Sequence, residues 1–141
     1  MAAGEGTRPP IVMIGRMTNQ REKRMRRMLV VDDEPKICDC LGTFFREKGF
    51  AVACTPTGAE AIEWLMEHPV DIILLDVRLP DMRGIEVLKR AKELVPDAKV
   101  IMVTALDKEE PQIDAMTYGA CAYITKPFDL SELTWAEALV T

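Results

Sequence analysis

Residues 70–84 read VDIILLDVRLPDMRG, and the fold turns on how this stretch is read. Ile72, Ile73, Leu74 and Leu75 form a continuous apolar run that Asp76 ends, and Pro80 and Gly84 close the segment. A short run rich in branched residues and bounded by turn formers is a strand buried on both faces. Asp76 then stands at the carboxyl edge of a sheet, which is where open α/β folds bind their ligands.

The same unit recurs on both sides. Upstream, residues 28–31 (MLVV) form a strand-like run that ends in Asp32, Asp33 and Glu34. Pro35 suits the first turn of a helix, because the N–H it lacks has no partner there in any case. Ile37, Leu41, Phe44 and Phe45 recur at helical spacing, and Gly49 is a natural stop. A second short strand covers 50–54. Thr57, with Glu60 three residues on, has the form of a capping box opening a helix that Pro69 closes. Downstream, Ile85, Leu88, Ala91 and Val95 mark a helix ended by Pro96, and 99–103 is a fourth strand ending at Thr104. The spacing predicts a helix over 107–118, irregular near Pro111 and stopped by Gly119. A fifth strand covers 121–125, and Asp129 with Glu132 opens a last helix of about three turns.

Five strand–helix units in strict alternation predict a doubly wound five-stranded parallel sheet with helices on both faces. All the carboxyl ends then share one edge. Asp32, Asp33, Asp76, Thr104 and Lys126 fall at or just past such ends and come from four different strands, so sequence separation does not keep them apart.

Composition narrows the function classes. The 141 residues suffice for one domain with a real core. The net charge of −5 is uneven: residues 1–27 are strongly basic and the rest is acidic. An acidic body argues against direct nucleic-acid binding, and the basic arm reads as a solvated extension, leaving 28–141 as the domain. No apolar run approaches the roughly 20 residues of a membrane span, nor the 7–15 or so of a signal-peptide core, so a cytoplasmic location is expected. Four cysteines without a Cys-x-x-Cys, and His68 as the sole histidine, make a zinc site improbable. Cys38, Cys40, Cys54 and Cys121 are expected to be buried free thiols.

Three carboxylates crowded at one edge repel one another unless a cation offsets them. Mg²⁺ suits such an oxygen-rich site, and Lys126 can reach a carboxylate or a phosphoryl oxygen as a point charge. A carboxylate nucleophile with a metal, an ammonium group and the Thr104 hydroxyl is equipped for phosphoryl transfer. Any one of these residues could be only a cap or a turn. Their convergence on successive strand ends is what no capping rule requires.

The residues LVVDDE at 29–34, LLDVRLPDMRG at 74–84, VTA at 103–105 and YITKPF at 123–128 resemble the receiver domain of bacterial two-component response regulators. The resemblance implies a flavodoxin-like, receiver-type fold and Asp76 as acceptor of a phosphoryl group from a histidine kinase or phosphotransfer protein. It implies Mg²⁺ bound by Asp33, Asp76 and the Arg78 backbone carbonyl, with Asp32 acting through water. Thr104 and Tyr123 would be the switch pair, Lys126 would bind the phosphoryl group, and the Lys126–Pro127 peptide would be cis. Small Ala105 leaves room for the phosphodonor. Arg78 and Leu106 offer no group to orient an attacking water, so at most slow self-dephosphorylation is expected.

Partners would read the switch on the face of the fourth helix, fifth strand and fifth helix, a surface that could also form a homodimer. Leu130, Leu133, Glu137 and Val140 share one side of the last helix at α-helical spacing, with Ala136 beside them and Trp135 directed elsewhere. The chain is either a stand-alone receiver or part of a longer DNA-binding regulator. An aspartyl-phosphate enzyme is a weaker alternative, because Asp76-Val77-Arg78 breaks the Asp-x-Asp that a haloacid-dehalogenase-like enzyme wants. A scaffold that is never phosphorylated is weaker still, since every expected site residue is present.

Overall fold

In the computed structural model, described for residues 25–105 and 112–140, five parallel strands form one sheet in the order β2-β1-β3-β4-β5. They are β1 (Arg26–Val31), β2 (Phe50–Thr55), β3 (Ile72–Asp76), β4 (Lys99–Ala105) and β5 (Ala122–Lys126). Between them run α1 (Pro35–Glu47), α2 (Gly58–Glu67), α3 (Gly84–Leu94) and α4 (Gln112–Thr117), and a 3-10 helix (Leu130–Val140) follows β5. The predicted start of the fourth helix at Asp107, with Pro111 and Leu106, lies outside the described residues.

The central strands alternate sides, and each side buries its own core. Leu29, Val31, Ile73, Leu75, Val100 and Met102 face Ala61 and Leu65 of α2, Val87, Leu88 and Ala91 of α3, and Ala115 of α4. Met28, Val30, Ile72, Leu74, Ile101 and Ile124 face Leu41 and Phe45 of α1 and Leu133 and Ala136 of the 3-10 helix. All five residues of β3 are buried, which is why its sequence reads as an unbroken apolar run. Each such side chain contributes about 1.5–3 kcal/mol through water exclusion. Edge-to-face rings join α1 to β2, with the Phe45 and Phe50 centroids 5.3 Å apart.

Four expectations are corrected. β1 begins at Arg26 rather than Met28, because Arg26 and Arg27 pair with Phe50 and Ala51 and the Arg26 guanidinium lies 4.6 Å over the Phe50 ring. The last helix is 3-10, not α. At three residues per turn Leu130, Leu133 and Ala136 line one side, and Leu133 and Ala136 are the fully buried pair. The side chains of Trp135, Glu137 and Val140 lie outside the description. The cysteines are not buried: Cys40, Cys54 and Cys121 are exposed and Cys38 is half-buried. Cys121 also precedes β5 rather than lying in it.

Candidate functional site

The strand order changes direction between β1 and β3, which makes their carboxyl ends the topological switch point, where open α/β sheets bind ligands. Asp32 follows β1 directly and Asp76 ends β3. Asp32 is fixed twice: its N–H donates to the Thr55 carbonyl (3.1 Å), and its Oδ1 accepts from the Glu34 N–H (2.9 Å). Asp76 Oδ1 accepts from the Arg78 N–H (3.0 Å), which orients the carboxylate. Donor oxygens of Asp32, Asp33 and Asp76 lie within 4.8 Å of one another, with Asp33 exposed and the other two buried. Three clustered carboxylates at this sheet edge match the hard-oxygen donor set of a divalent cation such as Mg²⁺.

Lys126 supplies the countercharge. From the end of β5 its Nζ donates to Asp32 Oδ2 (2.9 Å), Glu34 Oε1 (2.9 Å) and Asp76 Oδ2 (3.3 Å). Burial opposes the charge on Lys126, but the hydrogen bonds to Asp32 and Glu34 outweigh it and push its pKa up. Asp76 shows the opposite balance. Burial raises its pKa, and the Arg78 N–H and the Lys126 ammonium offset that only partly. Asp76 is thus a buried carboxylate whose burial disfavours its charge.

The remaining predicted residues take these places. Thr104 is buried in β4 opposite Thr125, and Ala105 ends β4 opposite Lys126. Tyr123 in β5 is half-buried and packs against the core shared by α2, α3 and α4. The Lys126–Pro127 peptide is cis. Arg78 forms a bridge to Arg83 in the loop after β3. Among the described residues the only cluster of possible metal ligands is that of Asp32, Asp33 and Asp76.

Three features escaped the sequence reading. Glu34 closes the cluster on its solvent side by binding Lys126; DDE read as one acidic triplet is the signal that could have included it. Asp81, in the loop after Asp76, accepts the Gly58 and Ala59 N–H groups (2.8 and 2.9 Å) and so caps α2. Those bonds hold its pKa below the usual carboxylate value. Thr57 caps the same helix at the Glu60 N–H (3.1 Å), as its spacing predicted, but Glu60 meets the Thr57 hydroxyl. Gly84 lies so close to β3 that an added Cβ would sit 2.3 Å from the Asp76 carbonyl oxygen. Together they clamp the loop that carries Arg78.

A parallel sheet of this order with an acidic trio facing a lysine is the architecture of a receiver module. Residues 28–136 match the response regulator receiver domain, and the chain belongs to that family. Among its relatives, the response regulator SaeR of Staphylococcus epidermidis is 38% identical over 109 residues, covering 77% of this chain and 47% of that protein. The regulatory protein AtoC of Escherichia coli K12 is 37% identical over 109 residues, 77% of this chain and 24% of its own. The chain therefore spans about half the length of SaeR and about a quarter of that of AtoC. A solved CheY-like receiver domain protein from Methanospirillum hungatei JF-1 superposes with a TM-score of 0.77 at 33% identity, covering 82% of this chain and 94% of that one. Among the described residues no helix is long and apolar enough to cross a membrane.

Proposed function

We propose that this receiver domain is switched by Mg²⁺-dependent phosphorylation of Asp76, with the phosphoryl group supplied by a histidine kinase or phosphotransfer partner in the cytoplasm. One observation carries the reading: a buried aspartate at the switch point faces a lysine ammonium at 3.3 Å, with two further carboxylates alongside. A carboxylate oxygen of Asp76 attacks phosphorus in line as the bond to the donor nitrogen breaks and the imidazole leaves. Lys126 exchanges a carboxylate contact for a phosphoryl oxygen and balances its charge. The cation would be held by Asp33, Asp76 and the Arg78 carbonyl, with Asp32 through water, and when bound it supplies positive charge against the phosphoryl oxygens.

Thr104 then hydrogen-bonds the phosphoryl group, and Tyr123 moves into the space vacated. That changes the face of α4, β5 and the 3-10 helix, where a protein partner or a second copy of the chain binds. Ala105 beside Thr104 leaves the donor room to approach. The module accepts a phosphoryl group rather than turning over a substrate, and loses it slowly by itself. The partial match to SaeR favours a second reading, in which this receiver is part of a longer regulator with an output segment; the gene sequence beyond codon 141 tests it.

Intact-mass measurement with a small phosphodonor and Mg²⁺ tests the primary reading. One added phosphoryl group, lost with EDTA or in Asp76→Ala, is expected. An unchanged mass in the wild-type chain would refute it.

A further inference from the structure

The phosphoacceptor chemistry leaves one pair of neighbouring cysteines unused. Cys38 on α1 and Cys54 on β2, which pack against each other across the sheet face, bring their side chains together. The Cys54 thiol donates to the Cys38 carbonyl at 3.9 Å, which sets the two residues side by side. The Cys38 thiol in turn donates to the Asp32 carbonyl at 3.7 Å. Cys54 is open to solvent and Cys38 is half-buried behind it. Cys40 is also exposed, but two residues along a helix it points to another side.

We propose that Cys38 and Cys54 form a redox-active dithiol that a small-molecule disulfide converts to an intramolecular cross-link beside the acidic loop. The Cys54 thiolate attacks one sulfur of the small disulfide, which gives a mixed disulfide and releases one thiol. The Cys38 sulfur then attacks the Cys54 sulfur, gives up its proton to water, and expels the second thiol. Two protein thiols are oxidised and one small disulfide is reduced to two thiols, so atoms and electrons balance.

The order of events follows from exposure. Cys54 meets the oxidant first and Cys38 resolves. Closing the bond joins α1 to β2 and removes the proton that Cys38 shares with Asp32, so the change is registered at the rim of the acidic site. In a reducing compartment the pair stays as thiols, and the cross-link forms only under oxidation.

The test uses the full chain treated with oxidised glutathione, followed by alkylation, intact-mass measurement and peptide mapping. The expected product has lost two hydrogen atoms, retains two alkylatable cysteines, and yields a linked peptide containing Cys38 and Cys54. Dithiothreitol should reverse it. Cys38→Ser and Cys54→Ser should each abolish it, whereas the Cys40→Ser, Cys121→Ser double variant should retain it. A stable glutathione adduct without the linked peptide, or a linkage through Cys40 or Cys121, would overturn the proposal.

Discussion

Replacing Gly84 by alanine should unhinge the loop that carries the phosphoacceptor. The new Cβ would lie 2.3 Å from the Asp76 carbonyl oxygen and 2.9 Å from the Val77 Cα, both backbone atoms of the strand end. Ordinary contact needs roughly 3.5 Å, so α3 and β3 must part by about 1 Å. That movement also stretches the Gly84 N–H bond to the Val77 carbonyl, now 2.7 Å. Overpacking of this kind costs about 1–3 kcal/mol, and a strained hydrogen bond adds about 1 kcal/mol. Alanine's better helix propensity returns up to about 1 kcal/mol. The net loss is about 1–4 kcal/mol, or a fall in Tm of about 4–16 °C for a domain of this size. Thermal unfolding followed by circular dichroism measures it. Gly42→Ala is the control. There the Cβ meets only the far end of Arg46, Nη1 at 2.8 Å, which can swing aside, and stability should stay within about 1 kcal/mol of wild type. A Gly84→Ala chain melting within about 2 °C of wild type would refute the reasoning.

Asp76→Asn should stabilise the fold at neutral pH. Burial raises the folded pKa of Asp76, so its charge costs stability as pH rises from the ordinary carboxylate range through that raised value. The asparagine variant should therefore show a higher Tm at pH 7 and little difference in acid; equal Tm at both would contradict this. Asp81 has the opposite sign, since its two backbone hydrogen bonds lower the folded pKa. Its contribution is present above the unfolded carboxylate value and is lost as pH falls through the lower folded one. The Tm advantage of wild type over Asp81→Ala should accordingly shrink on acidification, and a pH-independent gap would count against the cap. Leu133, 1% exposed, should cost about 2–5 kcal/mol when cut to alanine, as urea unfolding would report; a loss below 1 kcal/mol or so would mean that the 3-10 helix adds little to the core.

Asp76 was legible because a buried parallel strand cannot tolerate an unpaired carboxylate, so one at its end has a task. Asp32, Thr104 and Lys126 followed from topology alone, since every carboxyl end meets at one edge. What sequence spacing could not convey was contact over distance. Glu34 reaches Lys126 across 92 residues and Asp81 caps Gly58 across 23, and neither pairing leaves a periodic trace. Gly84 looked like a turn residue; its tight approach to Asp76 depends on how α3 lies on β3. The last helix was misread because LSELTWAEALV satisfies α and 3-10 spacing equally near its start, and packing of Leu130, Leu133 and Ala136 decides between them. The cysteines were misplaced for a related reason: β2 is an edge strand, so Cys54 faces solvent although its neighbours Ala53 and Thr55 do not.

The central claim is that Asp76, rather than Asp32 or Asp33, takes the phosphoryl group. Borohydride reduces an aspartyl phosphate to homoserine, which marks the site permanently. After treatment with a phosphodonor and Mg²⁺, then borohydride, peptide sequencing should find homoserine at position 76 alone. Homoserine at position 32 or 33 with Asp76 unaltered would contradict the account.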